Sequence, residues 1–211
     1  MTDNRVVHIV DDDDGVRRSA GFLLRTSGYT VVAHSSGTAF LKVAVAAEPG
    51  CVLLDVRMPD IDGLEVQRQM TARGIAMPVV VLTGHGDLSV GIRAMKAGAV
   101  DFIEKPFEKA VLLAAIVAAF ERLEDTAGRT ADAETASCIV AGLTPREHSV
   151  LAAMAEGLPN KTIAHDLGIS ARTVEVHRAN LMAKLNVRSL SGALRIAFAA
   201  GLGNGEAATT T

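Results

Sequence analysis

Five short apolar runs alternate with helical segments over the first 125 residues, and that alternation limits the possible folds more than any other feature. The runs are RVVHIV, TVVAH, CVLLDV, PVVVLT and VDFIE, each β-branched or aliphatic and of strand length. Between them lie stretches such as GVRRSAGFLLRTSG, where Val16, Ala20, Leu23 and Leu24 recur at helical spacing and Gly28 ends the pattern. Such alternation implies right-handed crossovers and a parallel sheet covered on both faces. The expectation is a doubly wound α/β domain of (βα)5 type over residues 1–125, its fifth helix running from about Glu108 to Asp125. In open sheets of this kind ligands sit outside the carboxyl ends of the strands. Asp11 and Asp12 close the first strand, Asp55 the third, Thr83 the fourth and Lys105 the fifth, so one crevice collects them all.

Three carboxylates at one sheet edge repel, and burial makes each costly unless a cation joins them. Asp11, Asp12 and Asp55 offer only hard oxygen ligands, which suit Mg2+ with near-octahedral geometry and several retained waters. Phosphate oxygens can fill the open positions of such an ion. One carboxylate can then attack an incoming phosphoryl group while the metal neutralises its equatorial oxygens. Lys105 supplies a second positive charge, and the Thr83 hydroxyl a hydrogen bond to the product phosphate. Phosphorylation raises the local charge to about −1.5 to −2 and adds three acceptor oxygens, enough to draw Thr83 inward and let Phe102 fill the vacated space. Singly, each residue has a plainer reading: Asp55 as a turn cap, Thr83 as a strand-end hydroxyl, Lys105 as a surface charge. Asp13 and Asp14 lie beyond the metal pair and are left to cap the first helix. Only the combination is specific.

Beyond the fifth helix, TAGRTADAETASC is small, polar and aperiodic, so residues 126–140 read as a linker or a frayed helix continuation. Pattern returns at LTPREHSVLAAMAEG, with Thr144 as N-cap, Pro145 at the first helical position and Glu147 closing a capping box. Three more short helices follow, and residues 141–203 read as a small all-α domain. The tail 204–211 lacks core-forming residues and reads as disordered.

The stretch NKTIAHDLGISARTVEVHRANLMAKL gives two helices joined by a tight turn at Gly168–Ile169, with Ser170 capping the second. Val174, His177, Leu181 and Leu185 share the packing side. Arg172, Glu175, Val176, Ala179 and Ala183 share the other, free to enter a DNA major groove, with Thr173 at the same helix start. Val176 and Ala179 suit thymine methyl groups, Glu175 the cytosine amino group, and Arg172 phosphate or guanine. Arg178, on the flank, is a phosphate ligand in this reading. Asn160 and Lys161 open the preceding helix, where backbone N–H groups can hold a further phosphate.

Charge is divided accordingly: 13 basic against 17 acidic residues in 1–125, and 7 against 5 in 140–211. No apolar run approaches the roughly 20 residues of a membrane span, and the N-terminus has no basic-then-apolar leader. Cys51 and Cys138 are too few for a disulfide framework or a zinc site. The expected compartment is the reducing cytoplasm, with no membrane partner.

IVDDDD, LLDVRMPDIDG, VVVLTGHGD and KAGAVDFIEKPF resemble the receiver domain of two-component response regulators, over residues 5 to 122. That resemblance implies phosphate acceptance by Asp55 from a sensor histidine kinase. It also implies a magnesium shell of Asp55, Asp12 and the Arg57 carbonyl, with Asp11 acting through water, and a cis Lys105–Pro106 bond. It further implies a dimerisation surface around Ile92, Lys96 and Asp101. Residues 141 to 200 resemble the LuxR-type helix-turn-helix. The pair is similar to the NarL/FixJ class and, in TGHGD, GLPNK and RTVEVHRAN, to its FixJ branch. Gly37–Thr38 and LSVGIR depart from that branch's pattern. The implied protein is a transcription factor, not an enzyme. It dimerises on phosphorylation, binds double-stranded promoter DNA and works with RNA polymerase, with nitrogen-fixation or low-oxygen control as the family-level regulon. Two rival readings differ in chemistry, and a third, constitutive DNA binding with a vestigial receiver, is opposed by the intact Asp55, Thr83 and Lys105 set. A phosphatase of the haloacid-dehalogenase type wants a second carboxylate two residues after Asp55, where Arg57 stands. A small-molecule-gated regulator would need an apolar cavity in place of the acids.

Overall fold

A computed structural model describes residues 5–84, 88–124, 129–187 and 189–203. The chain divides into two compact units, Met1–Thr126 and Ala127–Thr211, each treated by itself below. The expected disordered tail, 204–211, lies outside the described residues.

The first unit runs β1 (Val6–Val10), α1 (Asp14–Thr26), β2 (Thr30–His34), α2 (Gly37–Val43), β3 (Gly50–Asp55), α3 (Gly63–Ala72), β4 (Val79–Thr83), α4 (Leu88–Lys96), β5 (Asp101–Glu104) and α5 (Lys109–Glu124). All strand pairs are parallel, in the order β2-β1-β3-β4-β5. β1, β3 and β4 are buried at every position, which is why they read as unbroken apolar runs rather than alternating ones. On one face Val7, Ile9, Leu53, Val80 and Leu82 pack with Leu24 of α1 and Leu112, Ile116 and Phe120 of α5. Between β1 and β3 the chains come so close that a Cβ at Gly50 would lie 2.2 Å from the Val6 carbonyl oxygen.

The acid run resolves into separate duties. Asp13 is the N-cap of α1, its carboxylate accepting from the Gly15 and Val16 amides, and Asp14 pairs with Arg17 and Arg18 in the first turn. Asp11 and Asp12 are left at the sheet edge.

The second unit holds α6 (Arg129–Ala141), α7 (Pro145–Ala155), α8 (Asn160–Leu167), α9 (Ala171–Lys184) and α10 (Leu190–Ala199). α6 occupies residues 129–140 of the range read as a linker. It packs against α10, with Ala136 and Val140 buried, so tertiary burial decides the conformation of a segment whose own periodicity is weak. The Thr144–Glu147 capping box is present at the start of α7. Glu147 also accepts from the Lys184 ammonium at 2.7 Å, fastening α7 to α9. That ammonium and the Thr144 amide hold the Glu147 carboxyl down to about 2. Gly168, at φ +64°, supplies the left-handed turn between α8 and α9.

Candidate phosphoacceptor pocket and nucleic-acid interface

The strand ends of the first unit bring Asp11, Asp12 and Asp55 together, with one carboxylate oxygen from each within 4.8 Å of the others. Asp11 and Asp55 are buried and Asp12 is exposed. Lys105 reaches across from the end of β5, its Nζ donating to Asp11 Oδ2 at 2.7 Å and to Asp55 Oδ1 at 2.8 Å. The Lys105–Pro106 peptide is cis. Asp11 is fixed further by the Asp13 amide, which donates to its Oδ1 at 2.8 Å, and by the Arg17 guanidinium, which donates to its carbonyl at 2.7 Å.

Burial pushes the Asp55 carboxyl above its ordinary value; Lys105 pulls it back, while Asp11 and Asp12 add to the rise. For Lys105, burial works against the ammonium, but Asp11 and Asp55 outweigh it and the net direction is up. Among the described contacts, the Lys105 ammonium is shared by two of the three clustered carboxylates. A hard, oxygen-seeking divalent cation fits that cluster. Arg57 is exposed on the β3–α3 segment, immediately after the buried Asp55–Val56 pair.

Asp55 titrates higher folded than unfolded, so its ionisation destabilises the fold as pH rises through the folded value. A cation bound only by the folded state offsets this. Mg2+ at a hundred times its dissociation constant should add about 2.7 kcal/mol, or roughly 5–10 °C in Tm. The gain should be larger at neutral than at mildly acidic pH. Scanning calorimetry with and without Mg2+ checks this, and a melting curve indifferent to the ion would contradict the cluster's assignment.

Thr83 is buried beside the pocket, its hydroxyl donating to the Ile103 carbonyl at 3.5 Å. Phe102 is half-buried on the adjacent strand. Of the residues expected at a dimer surface, Lys96 is exposed and Asp101 half-buried, with Asp101 Oδ1 accepting from the Phe102 amide at 2.7 Å. Ile92 is only 4% exposed, so it lies beneath that surface rather than on it.

In the second unit, α9 presents Arg172, Glu175, Val176 and Ala179 to solvent and buries Val174 and Leu181, with Leu185 buried just beyond it. His177 is half-buried on the packing side. Val176 is 53% exposed, which leaves its methyl groups accessible on the outer side of α9. Thr173 is partly drawn into the cap: its amide and hydroxyl both bond Ser170 Oγ, at 3.0 and 2.8 Å. Arg178 does something the sequence reading did not foresee. Its Nη1 donates to Asn160 Oδ1 at 2.6 Å, tying the flank of α9 to the first residue of α8. Lys161 beside it is exposed.

Comparison with known proteins follows the same two-part division. Residues 7–117 match the response regulator receiver domain, and residues 141–197 match the bacterial regulatory proteins of the luxR family. The chain is 48% identical over 212 aligned positions to "Transcriptional regulatory protein FixJ" of Azorhizobium caulinodans, covering 100% of both. It is 48% identical over 203 residues to the protein of that name from Rhizobium meliloti, covering 96% of this chain and 99% of the relative. Among solved structures, full-length FixJ from B. japonicum aligns at 43% identity with a TM-score of 0.57, over 93% of this chain and 97% of that one.

Proposed function

The chain belongs to the response regulators that join a receiver domain to a LuxR-type DNA-binding domain, and from that premise we propose how its own residues carry out phosphorylation-dependent transcriptional regulation. Asp55 accepts the phosphoryl group from a sensor histidine kinase. Asp12, Asp55 and the Arg57 carbonyl would hold Mg2+ directly and Asp11 through water; the ion's contribution is to neutralise charge on the transferring group. The observation that supports this most strongly is the Lys105 ammonium shared between Asp11 and Asp55, a cation poised over the one carboxylate able to become an acyl phosphate.

In the resting protein the Thr83 hydroxyl makes only a long, 3.5 Å contact to the Ile103 carbonyl. A phosphoryl group on Asp55 offers stronger, charged acceptors, and Thr83 turns to it. Phe102 then moves into the space Thr83 leaves. The surface carrying Lys96 and Asp101, with Ile92 underneath, pairs with that of a second copy. Two α9 helices are thereby delivered to a twofold-related site on promoter DNA, where RNA polymerase is the further partner and the cytoplasm the compartment. Light scattering tests this directly: beryllofluoride with Mg2+ should double the mass of the full chain, and an unchanged monomer would overturn the reading.

On the DNA side, Arg172→Ala should weaken binding by about 1–3 kcal/mol and relax preference at one base step. Lys161→Ala should weaken binding evenly across sequences and lower the salt slope by about one. Competition binding with a specific and a scrambled duplex at several salt concentrations separates the two. Unchanged affinity for both variants would displace the proposed recognition surface.

A further inference from the structure

Gly91 stands inside α4, with helical residues on both sides. Glycine there weakens a helix relative to alanine, so its presence calls for a reason. The reason is steric. A Cβ at Gly91 would lie 2.6 Å from Phe102 Cδ2 and 2.8 Å from Cγ, closer than real Cβ atoms come, and 3.0 Å from Cε2. The Cγ–Cδ2–Cε2 side of the Phe102 ring therefore occupies the space a side chain at Gly91 would take.

The helix has little room to retreat. Ile92, Ala94 and Met95 are buried beneath it, and Gln67 of α3 donates from Nε2 to the Ala94 carbonyl at 3.2 Å. The ring is the softer partner. It sits at the half-buried margin of β5, paired in register with Val81, two residues before Thr83. That register puts the Phe102 and Thr83 side chains on the same face of the sheet.

We propose that Gly91 is a positioning residue for the switch: it receives the Phe102 ring in the resting protein, so any side chain there drives the ring off α4 toward the arrangement that phosphorylation otherwise selects. This rests on the reading above, in which the placement of Phe102 governs dimerisation. A contact available only to the resting state biases the equilibrium toward it, and removing that contact shifts the population the other way.

The test uses the full chain without phosphodonor. Gly91→Ala should tighten the monomer–dimer dissociation constant about tenfold relative to wild type, measured by sedimentation equilibrium. In Phe102→Ala, adding Gly91→Ala should change nothing, because the ring it displaces is gone. Wild type with beryllofluoride serves as the reference. If it dimerises while phosphate-free Gly91→Ala matches wild type, the proposal is overturned and the reading above stands. If wild type itself stays monomeric with beryllofluoride, the reading fails and takes the proposal with it. Should Gly91→Ala alone fold poorly, thermal melts of Phe102→Ala with and without it decide. A penalty that vanishes without the ring supports the seat, and one that persists overturns it.

Discussion

Asp55→Asn is expected to abolish labelling by acetyl phosphate while leaving the protein folded. The amide oxygen of asparagine is a poor nucleophile, and among the described residues neither clustered acid is placed to take over. Asp11 is buried with both oxygens engaged, one by the Asp13 amide and one by Lys105, and Asp12, the exposed member of the cluster, would be taken up by the metal. The substitution also removes a carboxylate that burial and two like charges push toward its neutral form. Without Mg2+ at neutral pH the variant should therefore melt at or slightly above the wild-type temperature. That pairing separates loss of chemistry from loss of structure. Intact-mass spectrometry after incubation with the phosphodonor reads the first, and a thermal melt the second. Full stoichiometric labelling of the variant would remove Asp55 from its role.

Much of the receiver-like unit is legible in the sequence because its logic is one-dimensional. A parallel strand covered on both faces must be apolar throughout, so β1, β3 and β4 announce themselves, and the strand-end rule then gathers Asp11, Asp12, Asp55, Thr83 and Lys105. Helix caps are likewise local: Thr144 with Glu147, and Ser170 with Thr173, lie within one turn of each other. What the sequence hides is pairing across elements. Nothing in the spacing of Arg178 and Asn160 predicts a 2.6 Å hydrogen bond, because it depends on the angle at which α9 crosses α8. α6 is hidden for the same reason: alanine-rich polar segments become helices when a partner such as α10 covers Ala136 and Val140. Ile92 joins the surface set by its place in a motif, yet α4 turns it inward. The Asp60 carboxylate is a further case. It accepts from both the amide and hydroxyl of Thr38, at 2.9 and 2.8 Å, joining the loop after β3 to the start of α2 across 22 residues. Desolvation raises that exposed carboxyl, but the Thr38 bonds, with the Ile61 amide, hold it down to about 2.

Lys105→Ala should separate phosphorylation from its consequence. The acid cluster and the nucleophile survive the substitution, so Asp55 should still accept phosphate from a small donor, at a reduced rate. Lost is the ammonium that in the resting state bonds Asp11 and Asp55 together and that would otherwise follow the charge onto the phosphoryl group. Dimerisation on phosphorylation should fail or require far higher protein concentration. Stability should change as well. The folded value of Lys105 is raised, so its contribution is complete below the unfolded lysine pKa and fades only as pH climbs through the folded one. At neutral pH the variant forfeits all of it. Breaking a buried pair costs roughly 3–5 kcal/mol; with the lysine side chain 23% exposed, the lower end of that range applies here. Without the ammonium, Asp55 is pushed further up. The variant should then grow less stable as pH rises from acid to neutral, and Mg2+ should recover most of the loss. Denaturant melts across that range, with and without the ion, measure the stability arm, and light scattering with beryllofluoride measures the coupling arm. A Lys105→Ala protein that dimerises like wild type would show that the lysine balances charge in the pocket but carries no signal out of it.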